Sequence, residues 1–228
     1  PSTPTIGTAD ELGTGVTLGE VGTTWILAGK GIDPSDGTSP ATAAWRATYN
    51  VSTNYFSINL PSDLETYSLR LMVRQQSYQG ITNPRNITAL GSAGPHFYVT
   101  VINTADRLRV QDGNNPGAAW GDLSTDFSAE GYTFHRWEFK FSSTNDGGDG
   151  ILYASFWNDP MSTGAADGTV SFTAGNTQLN ELRFGHTTAG NVQPTTYFDN
   201  ILLTDTYEDL GPPPYSTGAD VNLSGTVQ

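Results

Sequence analysis

Hydrophobic and polar side chains alternate with a period of two through much of this chain, the repeat of a strand with one face on a core. Tyr67, Leu69, Leu71 and Val73 share one face, and Ser68, Arg70, Met72 and Arg74 the other. Trp137, Phe139 and Phe141 alternate with Glu138 and Lys140, and Leu152, Ala154 and Phe156 with Tyr153 and Ser155. Such segments recur between clusters of Gly, Asn, Asp and Pro, which favour turns. The pattern predicts strands near 15–28, 43–51, 54–60, 67–76, 86–91, 96–103, 107–111, 132–142, 150–157, 168–174, 181–187 and 196–206. Each is expected to keep its second face in water.

Helical periodicity is confined to the short Ala9-Asp10-Glu11-Leu12 turn. Parallel βαβ units need crossover helices that this chain lacks, so the expected fold is an all-β, two-sheet antiparallel sandwich. Thr144-Asn145-Asp146-Gly147-Gly148-Asp149-Gly150 reads as a hairpin loop, its residues suited to positive φ. Pro61-Ser62-Asp63-Leu64-Glu65 reads as a turn, and Asp112 to Gly117 as a surface loop running on to Trp120. Pro212-Pro213-Pro214-Tyr215 stops the last strand, because consecutive prolines favour polyproline II and cannot join a ladder. The expected organisation is an N-terminal extension over 1–14, one sandwich over 15–210, and a Pro-rich linker with an extended C-terminal arm over 211–228.

Composition narrows the function classes. The 228 residues carry a net charge of −13, with ten Lys and Arg scattered along the chain. Phosphate backbones and anionic membrane surfaces both need a basic face, so neither nucleic acid nor membrane is an expected partner. No apolar run approaches the roughly 18 residues of a membrane span. Cysteine is absent, which removes disulfides, thiolate nucleophiles and Cys-based metal sites. Pro1-Ser2-Thr3-Pro4 has no signal-peptide character, so synthesis in a cytoplasm without a secretion signal is the expectation.

Three stretches carry a family resemblance: Tyr132 to Phe141, Gly150 to Asn158, and Tyr197 to Asp205 with its Phe198-Asp199-Asn200-Ile201 core. Together they resemble the LamG-like, concanavalin A-like jelly roll of tailed-bacteriophage structural proteins. The resemblance implies a jelly-roll sandwich on a virion surface, in a capsid decoration or minor tail protein made in the host cytoplasm. It implies other virion proteins as partners through the C-terminal arm, host glycan as a ligand, and a homo-oligomeric or symmetric assembly. LamG-like domains also imply a calcium ion at the rim; Asn145, Asp146 and Asp149 are the candidate ligands, with Asp199 and Asn200 as the alternative. No other cofactor is expected.

The residues themselves point to binding rather than catalysis. A retaining glycosidase needs two carboxylates about 5 Å apart. Yet Glu138 stands on its strand between Arg136 and Lys140, and Asp205, Glu208 and Asp209 gather at the start of the proline segment. The nucleophile elbow Gly-x-Ser-x-Gly and the phosphate-binding Gly-x-x-x-x-Gly-Lys are missing. His96, His135 and His186 sit singly in strand-like segments and read as ordinary strand residues. Carbohydrate binding needs aromatics with amides, carboxylates or guanidinium groups beside them. Trp120, Trp157 with Asn158 and Asp159, and Tyr78 are the candidates. A carbohydrate-binding module of a non-viral extracellular protein, and less so a glycan hydrolase, are the alternatives to the virion reading. The sequons at Asn50, Asn86 and Asn222 are the number that so Ser- and Thr-rich a chain yields by chance.

Overall fold

A computed structural model describes the backbone over 5–6, 17–21, 24–28, 45–48, 54–76, 85–102, 107–113, 120–124, 134–144, 150–175, 177–186 and 195–213. These residues form two antiparallel sheets and no helix. One sheet runs in the order β1 (Thr5–Ile6), β5 (Asn54–Leu64), β14 (Leu179–His186), β7 (Arg85–Gly91), β8 (Gly94–Ile102), β9 (Arg107–Asp112) and β10 (Trp120–Ser124). The other runs β13 (Gly168–Thr173), β12 (Ile151–Trp157), β11 (His135–Ser142), β6 (Thr66–Gln76), β15 (Thr195–Thr204), β3 (Thr24–Ala28) and β2 (Thr17–Val21). β4 (Trp45–Thr48) also pairs with β15. The chain is thus a two-sheet antiparallel sandwich, as the alternation predicts, of the jelly-roll kind that the family resemblance implies.

The core forms where the two inner faces meet. Leu69, Leu71, Val73, Trp137, Phe141, Leu152 and Phe156 of one sheet are fully buried, as are Ile87, Ala89, Phe97, Val99, Val110, Leu182 and Phe184 of the other. Phe97 stacks on Phe139 with centroids 5.0 Å apart, joining the sheets at their middle. Tyr67 Oη and His96 Nε2 lie 2.8 Å apart beneath Phe141, so this buried histidine is a packed and hydrogen-bonded core residue. His135 stacks on Phe156.

The structure corrects some of these expectations and adds detail to others. The stretch read as one strand over 15–28 is two, β2 and β3, paired with Thr17 opposite Ala28 and Val21 opposite Thr24. Trp120 opens a strand, with Trp120 opposite Gln111. Asp63 lies in a strand and not a turn, because β5 continues to Leu64, which pairs with Leu179; the bend falls at Glu65. Asp199 and Asn200 sit at a β-bulge: Asp199 pairs with Met72 and Leu202 with Arg70, one extra residue on β15. Thr5–Ile6, within the stretch read as an N-terminal extension, pairs with Ile58 and Asn59.

The largest correction concerns the second face of β6 and β11. Ser68, Arg70 and Met72 are buried, and so are Arg136 and Glu138. Over Ser68 and Arg70 the covering segment is Asp205 to Pro213, which crosses the outer face as a strap. Ser68 Oγ accepts the Glu208 N–H at 2.9 Å and faces the carbonyls of Thr206 and Glu208 at 2.8 Å. Arg70 Nη1 donates to the Gly211 carbonyl at 3.2 Å. The predicted hairpin ends at Gly150, whose φ of 75° is the left-handed conformation expected there. The helical turn at 9–12 and the arm beyond residue 213 lie outside the described residues.

Candidate functional site

The strap makes one wall of a cleft on the outer face. Its floor is a grid of paired strand positions: Arg136 opposite Trp157, Glu138 opposite Ser155, and Lys140 opposite Tyr153, with Thr169 beyond Ser155. Period two places all of these on the face away from the core. The second wall is Thr163 to Ala166, from the loop after β12, and the strap contributes Glu208 to Pro212. The open cleft has a volume of about 470 Å³, within the range of small-ligand sites.

The post-β12 loop is held by its own side chains. Asp167 Oδ2 accepts the Asn158 N–H at 2.7 Å, Asp159 Oδ1 accepts the Met161 N–H at 2.9 Å, and Ser162 Oγ accepts the Gly164 N–H at 3.1 Å. Trp157 Nε1 donates to the Gly164 carbonyl at 3.0 Å, which locks the indole to the loop. Arg136 then ties loop to floor. Its Nη1 donates to the carbonyls of Ser162 at 2.7 Å and Pro160 at 3.0 Å, its guanidinium lies 3.9 Å from the Trp157 ring centroid, and its Nε is 2.9 Å from Glu138 Oε1. Lys140 reaches the strap, with Nζ 2.8 Å from Asp209 Oδ1 and 4.6 Å from the Tyr207 ring centroid.

Electrostatics follow from burial. Loss of water pulls Arg70 down to about 10, the nearby Glu138 carboxylate only partly opposing it. Burial likewise lowers Arg136 and raises Glu138; for Glu138 the two arginines and the Gly211 N–H pull the other way and offset only part of the effect. Arg136 and Glu138 hold each other as a buried ion pair, and all three carboxylates of the cleft are engaged. Glu138 meets Arg136, Glu208 accepts the Thr206 hydroxyl, and Asp209 meets Lys140. Among the described residues no group of three or more His, Asp or Glu is placed to hold a metal ion.

The predicted binding residues separate. Trp157 lines the cleft, whereas Asn158 and Asp159 shape the adjoining loop through the bonds above. Trp120 lies in β10 of the opposite sheet. Tyr78 and the candidate calcium ligands Asn145, Asp146 and Asp149 lie outside the described residues. Asn86 of the second sequon is fully buried, its Nδ2 3.5 Å from Thr196 Oγ1, so it is closed to glycosylation as folded. The residues missed are Tyr153, Ser155, Lys140, Thr169 and the strap. Tyr153, at 37% the exposed large apolar side chain among the described residues, stands on the polar face of a strongly alternating strand, and that misfit was the available signal.

No family model and no curated protein matches the chain. Among solved structures it is similar to the botulinum neurotoxin serotype D binding domain, at 10% identity and TM-score 0.54, over 90% of this chain and 44% of that one. The serotype D ligand binding domain in complex with N-acetylneuraminic acid gives 11% identity and TM-score 0.54, over 90% of this chain and 43% of that one. The chain therefore spans less than half the length of these toxin structures. A cellulose-induced protein, Cip1, gives 15% identity and TM-score 0.53, over 92% of this chain and 94% of that one. What the chain shares with all three is the two-sheet β-sandwich.

Proposed function

We propose that this protein is a carbohydrate-binding β-sandwich and that the outer-face cleft is its binding site. The observation that carries the reading is the make-up of the floor. Two aromatic side chains, Trp157 and Tyr153, flank the Ser155 and Thr169 hydroxyls, with the acidic strap on one side and the small residues Thr163 to Ala166 on the other. Sugars present apolar ring faces together with hydroxyls, and this mixture answers both. The neighbours add support: one is a ligand binding domain holding N-acetylneuraminic acid, and another is named for its induction by cellulose.

Binding fits better than hydrolysis, since every carboxylate lining the cleft is engaged by a cation or hydroxyl partner. The test is a glycan array probed with the wild-type chain and Tyr153→Ala. Tyr153 is exposed, so its truncation leaves the fold intact while weakening capture of the glycans that wild type retains. Equal capture by both, or no capture by wild type, refutes the reading.

The jelly-roll motifs at 132–158 and 197–205 support a further placement, with this binder displayed on a phage particle. The neighbours named above lend that placement no support. Mass spectrometry of purified particles from the source tests it, and absence of the chain from them excludes it.

A further inference from the structure

We propose, building on the glycan-binding reading, that the cleft selects uncharged oligosaccharides and discriminates against glycans bearing carboxylate or sulfate groups. Acidic sugars are usually held by a cation with donors to spare. The cations here have their partners. Arg136 is 98% buried at its side chain and engages Glu138, two loop carbonyls and the Trp157 ring. Arg70 lies beneath the strap on the Gly211 carbonyl and is not part of the cleft lining. Lys140 alone reaches the open part of the site, and Asp209 and the Tyr207 ring hold its ammonium.

The walls reinforce the discrimination. Glu208 and Asp209 line the strap side, Asp159 and Asp167 stand in the loop on the other side, and the whole chain carries −13. An incoming anion meets like charge on both approaches, and a low-dielectric floor strengthens that repulsion. What remains for a ligand is neutral chemistry: the Ser155, Thr163 and Thr169 hydroxyls between two aromatics. Tyr153 and Trp157 are four residues apart along β12, about 13 Å at strand rise, which spans more than one sugar ring.

The Lys140–Asp209 pair is the element that sets the preference. Asp209 is 89% exposed at its side chain, so it can be changed without unfolding the protein. Calorimetric titration of wild type and Asp209→Asn with uncharged cello-, xylo- and manno-hexaose and with oligogalacturonate and sialyllactose tests the idea. Wild type is expected to bind a neutral oligosaccharide at least about tenfold more tightly than either acidic one, a difference of about 1.4 kcal/mol. Asp209→Asn frees Lys140 and is expected to narrow that gap by strengthening acidic binding more than neutral binding. Added salt narrows it in wild type through screening.

Tighter acidic than neutral binding by wild type overturns the selectivity and leaves the glycan-binding reading standing. A gap unmoved by Asp209→Asn overturns the charge mechanism. Failure of both ligand classes to bind removes the glycan-binding reading itself, so the two failures are distinguishable.

Discussion

Arg136 and Arg183 form a natural experiment on what burial does to an ion pair. Each sits on a strand two residues from a glutamate, at 2.9 Å for Arg136–Glu138 and 2.8 Å for Arg183–Glu181. The side chains of the first pair are 2% and 10% exposed, those of the second 30% and 17%. Breaking a buried pair by removing one partner costs about 3–5 kcal/mol, because the other charge is left without its counter-ion. Arg136→Met also leaves the Pro160 and Ser162 carbonyls without their donor and removes the stack on Trp157. Arg70 and the Gly211 N–H still face Glu138, so the terms do not simply add. We expect Arg136→Met to cost about 3–5 kcal/mol, a large share of the roughly 5–15 kcal/mol that holds a domain together. At about 2–4 °C per kcal/mol for a chain of this size, the midpoint falls by about 6–20 °C. Arg183→Met, in a wetter pair, is expected to cost about 1 kcal/mol or less. Urea unfolding followed by tryptophan fluorescence and far-UV circular dichroism measures both, with an unchanged m-value assigning the loss to stability. Equal costs for the two variants would falsify the burial argument.

Three other expectations bear on the fold and its pH response. A Cβ at Gly113 would lie 2.5 Å from the Pro95 carbonyl carbon, so Gly113→Ala must move backbone; a thermal melt should show a loss of about 1–3 kcal/mol. Tyr67→Phe removes the hydroxyl from the buried bond to His96 and is expected to lower stability by about 1–3 kcal/mol by urea titration, with no change in glycan binding. Glu138 titrates above its ordinary value of 4.5 in the folded protein. Between 4.5 and the raised value the folded state keeps a proton that the unfolded state has lost, so this group's contribution to stability falls as pH rises through that window and then levels. Glu138→Gln should remove that component from the pH–stability curve, and a curve of unchanged shape would contradict it.

The strands were legible because aromatic and aliphatic residues repeat at period two, and the inner rows at Tyr67–Val73 and Trp137–Phe141 follow from that alone. The break between β2 and β3 was obscured because strand-favouring residues, Val21 on one side and Thr23 and Thr24 on the other, flank the turn-favouring Gly22 between them. The outer face was misread for a physical reason. Arg70, Arg136 and Glu138 are residue types that normally meet water; Asp205 to Pro213, far along the chain, closes over Arg70, and the loop after β12 closes over Arg136 through the Pro160 and Ser162 carbonyls. Alternation reports which face a residue occupies and is silent on what lies above that face. For the same reason Trp157 could be picked out from its place beside a polar loop, whereas Tyr153 and Lys140 gained meaning only once the strap and loop were seen to wall them in. Of the acidic residues where the last strand meets the proline segment, Glu208 and Asp209 form a side of the site.

The claim that matters most is that a sugar sits between the strap and the loop after β12. Backbone-amide NMR spectra recorded as a neutral oligosaccharide is titrated in test this directly. Shifts are expected to concentrate at Arg136–Lys140, Tyr153–Trp157, Thr163–Thr169 and Glu208–Gly211, and to be lost in Tyr153→Ala. Shifts confined to the outer face of the seven-stranded sheet, around Thr88, Tyr98 and Arg109, would place the ligand elsewhere and contradict it.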